Sequence, residues 1–169
     1  MQSESGRESD AESQRQRLQL KDAVDFALSE ARMVLPGIQA IFGFQLIVTF
    51  NDRFASGLTS TQQHLHLGAL FLTGVAMALV MAPAAYHRHV EREAVSAKLL
   101  RIASRLIASG MNALAVALSV DVYIVVVLVT GSSLVAMAAG AAMCAFFVTL
   151  WVVYPAGDRR SQRGHRSRK

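Results

Sequence analysis

The sequence predicts an all-α integral membrane protein: a bundle of four transmembrane helices preceded by an amphipathic helix on the membrane surface. Three observations predict it. Charge is absent from long stretches: no Lys, Arg, Asp or Glu lies between Phe54 and Tyr86, and Asp121 is alone between Leu106 and Gly157. Runs of about 18 such residues are what a hydrocarbon core demands of a helix. The chain is 53% hydrophobic, and its charges sit in blocks instead of along one face of every helix, as a soluble helical domain would require. Finally, the basic residues gather in alternate connecting segments, the signature of a multi-pass chain.

Residues 1–17 are rich in Ser, Glu, Gln and Arg, without the apolar stretch of a secretory signal. They predict a disordered cytoplasmic tail. From 18 to 35, Leu20, Val24, Ala27, Leu28, Ala31 and Leu35 recur at steps of three and four, with Lys21, Asp22, Asp25 and Glu30 elsewhere. This periodicity predicts an amphipathic helix. An interfacial helix and a water-side extension of the first span both fit. Pro36-Gly37 then predicts a bend into the bilayer.

The transmembrane domain covers 35–154, with spans at about 35–53, 65–86, 102–129 and 134–154. The first is short and closes at Asn51-Asp52-Arg53. Pro83 is placed to bend the end of the second, and Tyr86 to anchor it at the interface. One helix across 106–154 would be about 73 Å long, over twice the hydrocarbon thickness, so this stretch must be two. Thr130-Gly131-Ser132-Ser133 is the best turn within it. A break at Ser119–Asp121, which would put the acid in a loop, is the alternative. Residues 155–169 form a basic tail.

Fifteen of the 17 Lys and Arg fall before the first span, between the second and third, or after the fourth, and Arg105 lies in the first turn of the third at the same end. Only Arg53 falls on the other side. The positive-inside rule then predicts both termini on the cytoplasmic side of the membrane. The same rule accounts for the high isoelectric point without nucleic acid. Arg88, Arg92, Arg101, Arg105, Arg159 and Arg160 are the candidates for contacts with anionic lipid headgroups.

Asp121 is the foremost candidate for chemistry. An acid at a helix centre costs about 2.5–3.5 kcal/mol on insertion scales, so such residues face the bundle interior or a water path. There it is positioned to exchange a proton or hold a cation; an acid hydrated near the outer interface is the plainer reading. Asn112, Gln39 and Gln45 complete the polar candidates for ion or proton coupling. Gln39 and Gln45, six residues apart, point from different faces of one helix, and Asn112 is about half a turn around from Asp121. Hydrogen bonding between helices is the ordinary role for these groups.

The chain has one cysteine, Cys144, so neither a disulfide framework nor a thiolate metal site is available. His64-Leu65-His66 and His87-Arg88-His89 are weak metal signals, because residues two apart on a helix do not share a face. No metal or cofactor is expected. No phosphate-binding glycine loop, Ser-His-Asp arrangement or HExxH is present, which argues against an enzyme. Ala136, Gly140, Cys144 and Val148 repeat every four residues, a small-residue face that either packs the helices together or builds a dimer.

The blocks ARMVLPGIQAIFGF (31–44), APAAYHR (82–88) and RIASRL (101–106) resemble the signature stretches of a family of small, uncharacterised bacterial four-span membrane proteins. The resemblance runs from Leu18 to Tyr154. It implies four spans and, through the automated label of some members, a sodium:proton antiporter, without implying any site residues. In size the chain is also similar to small multidrug exporters, but it lacks their essential first-helix Glu.

Two functional expectations follow. The first is a non-enzymatic scaffold or accessory subunit, homo-oligomeric or bound to a partner membrane protein. The second is a small dimeric proton- or cation-coupled transporter using Asp121.

Overall fold

A computed structural model describes residues 2–90 and 97–153. These residues are helical throughout, without a strand: α1 (Gln2–Thr49), α2 (Asp52–Gly57), α3 (Ser60–Val90), α4 (Ala97–Thr130) and α5 (Ser133–Val148), followed by a wider π-helical turn (Thr149–Val153). Four helices are long and apolar enough to cross a membrane: Gln14–Thr49, Ser60–Tyr86, Leu100–Thr130 and Ser133–Trp151.

α1 is continuous where the sequence reading placed a tail, a surface helix and a bend. The Glu, Gln and Arg of its first turns are straight-chain residues that lose little rotamer freedom in a helix. Pro36 lies inside α1, where it removes the hydrogen bond that its N–H would have given to the Arg32 carbonyl and crowds that carbonyl with its ring. The connection between the spans expected at 35–53 and 65–86 is also helical in part. Asn51 caps a short helix, its side chain accepting from the Arg53 N–H at 2.9 Å. Thr59 and Gln62 then form a reciprocal box at the start of α3: the Thr59 N–H donates to Gln62 Oε1 at 2.9 Å, and the Gln62 N–H to Thr59 Oγ1 at 3.3 Å. Such a box satisfies two orphan donors at once, and it moves the start of the span five residues before Leu65.

α4 and α5 part at Gly131, whose φ of +68° is the left-handed conformation that glycine adopts without a Cβ penalty. The Gly131 N–H returns to the Val127 carbonyl at 2.9 Å, and Ser132 caps α5 through the Val135 N–H. Asp121 therefore lies inside α4, nine residues before its end, and not in a loop.

The chain forms two compact units. The first joins Met1–Ile41 with Gly74–Met111. Its buried seam is apolar or small: Val24, Ala31 and Ile38 from α1, Ala76 and Val80 from α3, and Ala103 from α4. Gly110 brings α4 against α3 so closely that an added Cβ would lie 3.0 Å from the Ala76 carbonyl. The second joins Phe42–Thr73 with Asn112–Lys169. Its apolar core is Phe54, Leu58, Ile124, Val127 and Ala136. Gly140 packs there on α4, where an added Cβ would meet the Ser119 carbonyl at 3.0 Å and Tyr123 Cβ at 3.3 Å. Ala136 and Gly140 thus use the small-residue face for packing within the chain.

Candidate functional site: a histidine–carboxylate pair

The site lies wholly within the second unit and is built from three helices. Buried residues recur every seven positions along α1 at Val24, Ala31, Ile38 and Gln45. On α3 the seam runs through His66, Ala69 and Thr73. On α4 it includes Ala117 and Ile124, and Asp121 stands one turn from each. A seven-residue step keeps one stripe of a helix facing its neighbours. Gln45, His66 and Asp121 therefore occupy core positions, and their side chains converge. All three lie within candidate spans.

Gln45 Nε2 donates to Asp121 Oδ2 at 2.6 Å. His66 Nδ1 stands 3.3 Å from Asp121 Oδ1. That is an ion-pair distance without the alignment of a hydrogen bond, so both atoms are otherwise unpartnered, as is Gln45 Oε1. On its far side, His66 Nε2 lies 3.1 Å from the backbone carbonyl of Gln45. His66 is 3% exposed and the Asp121 side chain 19%. Phe54 of α2 closes over the imidazole in an edge-on contact, with ring centroids 5.2 Å apart. The segment holding Phe54 is tied down by Gln63, whose Nε2 lies within hydrogen-bond reach of the carbonyls of Phe54, Ala55 and Leu58. A second polar link, Gln62 Nε2 to the Tyr123 hydroxyl at 3.2 Å, joins the start of α3 to α4.

This geometry fixes a proton count. A carbonyl can only accept, so the His66 nitrogen facing the Gln45 carbonyl must carry hydrogen. In a neutral ring the other nitrogen then presents a lone pair beside a carboxylate oxygen 3.3 Å away. Two lone pairs repel, and one proton between them removes the conflict. A proton placed there gives imidazolium beside carboxylate or imidazole beside carboxylic acid. Both states are neutral overall, the form a low-dielectric interior tolerates best. Loss of the proton leaves one negative charge; gain of another leaves one positive charge.

The sequence candidates divide. Gln45 and Asp121 come together, whereas Gln39 and Asn112 are exposed and take no part. Ser119 is buried, but its hydroxyl is used locally on the Ala115 carbonyl at 2.7 Å. His66 is absent from those candidates, because in the sequence it stands beside His64 as a weak metal pair; His64 is exposed. The signal was available in its spacing of three and seven from Ala69 and Thr73. Among the headgroup candidates, Arg101 and Arg105 are exposed near the start of α4. Arg88, Arg92, Arg159 and Arg160 lie outside the described side chains. The His87–His89 pair does too.

Fold and site define a class: an all-helical protein with four helices fit to cross a membrane and a carboxylate–imidazole pair within them. The chain belongs to the Family of unknown function (DUF6328), whose model matches residues 11–155. No curated protein and no solved structure matches it.

Proposed function

We propose that this protein is a small, non-enzymatic, proton-coupled membrane transporter in which Asp121 and His66 exchange the coupled proton. The observation that carries the reading is the 3.3 Å approach of His66 Nδ1 to Asp121 Oδ1 inside segments apolar enough for a bilayer. An ionisable pair there is costly, and its ordinary reason for existing is passage of charge. Release of the shared proton creates a buried anion that must be neutralised by a cation or by another proton, which is the elementary step of coupling. Gln45 serves as a positioning residue, donating to the oxygen that faces away from His66.

The scaffold reading drew on scarce buried polar groups and on the small face of the last span. The converging triad and the internal use of Ala136 and Gly140 weigh toward transport. The outward surface of α5, including Leu134, Val135, Met137 and Phe146, supplies apolar area for lipid or for a second copy in a homo-oligomer. We place both ends in the cytoplasm on the distribution of Lys and Arg, and the protein in a bacterial inner membrane on the resemblance of its sequence blocks. Cysteine-accessibility mapping of the termini and of residues 51–59 tests that orientation.

The functional test is proton flux in proteoliposomes. Wild type should dissipate an imposed pH gradient, and Asp121→Asn and His66→Gln should each abolish the flux while remaining folded. Flux unchanged in both variants would refute the reading. Absence of flux in folded wild type would return the search to scaffold partners.

A further inference from the structure

Within the first unit, α1 and α3 border a groove of about 360 Å³. Its walls include Leu28, Ala31 and Leu35 on α1, and Val80 and Met81 on α3. The volume falls in the range of about 300–1,000 Å³ typical of pockets that hold small molecules. One charged side chain, Arg32, lines it. Arg32 is exposed, and no described residue pairs with it. Its neighbours one turn away are Leu28, Ser29, Leu35 and Pro36, so no acid stands at the three- and four-residue spacings that pair directly on a helix. α3 reaches Tyr86, the end of its candidate span, five residues or about 7 Å beyond Met81. Tyrosine favours the membrane–water boundary, and a guanidinium within two turns of it can extend to headgroup level while its stem covers apolar surface.

We infer that this groove binds one anionic phospholipid, an acyl chain lying against Leu28, Leu35 and Val80 and the phosphate paired with the Arg32 guanidinium. Two features combine in its favour: a mostly apolar groove of small-molecule size and one cation on its wall that pairs with no described residue; the end of the candidate span at Tyr86 lies a short way further along α3. Arginine suits the role because its planar fork donates two parallel hydrogen bonds to phosphate oxygens. The site is new relative to the basic residues that the sequence nominated for headgroups, and it does not depend on proton transport.

Native mass spectrometry of full-length protein from nanodiscs of phosphatidylethanolamine and phosphatidylglycerol tests it. Wild type should retain phosphatidylglycerol preferentially. Arg32→Gln should lower that retention about fivefold, the factor expected for one cation near anionic lipid. Arg53→Gln, which removes equal charge from α2, should leave it unchanged. Ala82→Phe should displace the lipid with every charge intact by filling the groove. Arg32→Lys, a variant that keeps the cation if Arg32→Gln fails to fold, should hold it in part. Equal retention of both lipids by wild type, an equal loss in Arg53→Gln, or full retention in Ala82→Phe would each overturn the assignment.

Discussion

The two units carry the same device, a buried seam repeating along α1, α3 and α4, and fill it differently. In the first unit the seam is Val24, Ala31, Ile38, Ala76, Val80 and Ala103. In the second it holds Gln45, His66 and Asp121 alongside Ala69, Ala117 and Ile124. A seam of small and branched apolar residues packs helices and does nothing further. Three polar groups at equivalent positions are expensive in such a place, and they meet one another within 2.6 and 3.3 Å. The contrast teaches that the polar positions are a local departure from a packing rule the same helices obey elsewhere.

The comparison breaks most sharply if the pair is halved. Asp121→Leu strands His66 and Gln45, and a broken buried pair costs about 3–5 kcal/mol. Thermal unfolding in detergent should show that loss. The triple variant Gln45→Leu/His66→Leu/Asp121→Leu makes the second seam resemble the first. It should recover stability to wild type or above, since apolar replacement of a buried pair is often neutral or stabilising, while carrying no proton. If single and triple variants were equally unstable, the triad would be structural.

Next in size are the close crossings, one per unit. Gly110→Val and Gly140→Val should each cost about 1–3 kcal/mol by overpacking, because backbone carbonyls at 3.0 Å cannot retreat. Gly68→Ala, with nothing within 4 Å, is the control and should hold or raise stability through helix propensity. Smaller still is the box that starts α3: Thr59→Ala should cost about 1 kcal/mol. It should also speed thiol labelling of a cysteine at position 54, because α3 loses its fixed entry. At the lower end, Gln39→Leu and Asn112→Leu should leave flux unchanged, sharpening the distinction between exposed polar residues and the seam.

Much of this was legible. The charge-free runs announced the four helices, Thr130–Ser133 announced the turn, and Asp121 stood out as a lone acid. Different faces for Gln39 and Gln45 follow from their spacing, and one of the two is buried as that spacing allows. His66 was hidden by its neighbour: His64-Leu65-His66 reads as a polar helix end until the small residues Ala69 and Thr73 are counted into the same stripe. The α2 helix and the Phe54 contact were beyond reach, since they depend on three carbonyl contacts from one glutamine and on tertiary packing, and neither leaves a periodic trace. The continuity of α1 was missed because Pro36-Gly37 is a strong local breaker, whereas the loss of one hydrogen bond is small in a 48-residue helix.

The bond from His66 to residue 45 runs to the main chain. Every amino acid brings that same carbonyl, so the choice of side chain at 45 leaves the imidazole's tautomer untouched. Mutation can drift at this position, altering how firmly the carboxylate is held, without rewriting how many hydrogens the pair can share. The stoichiometry is thereby entrusted to the helical backbone, the part of the molecule least open to substitution.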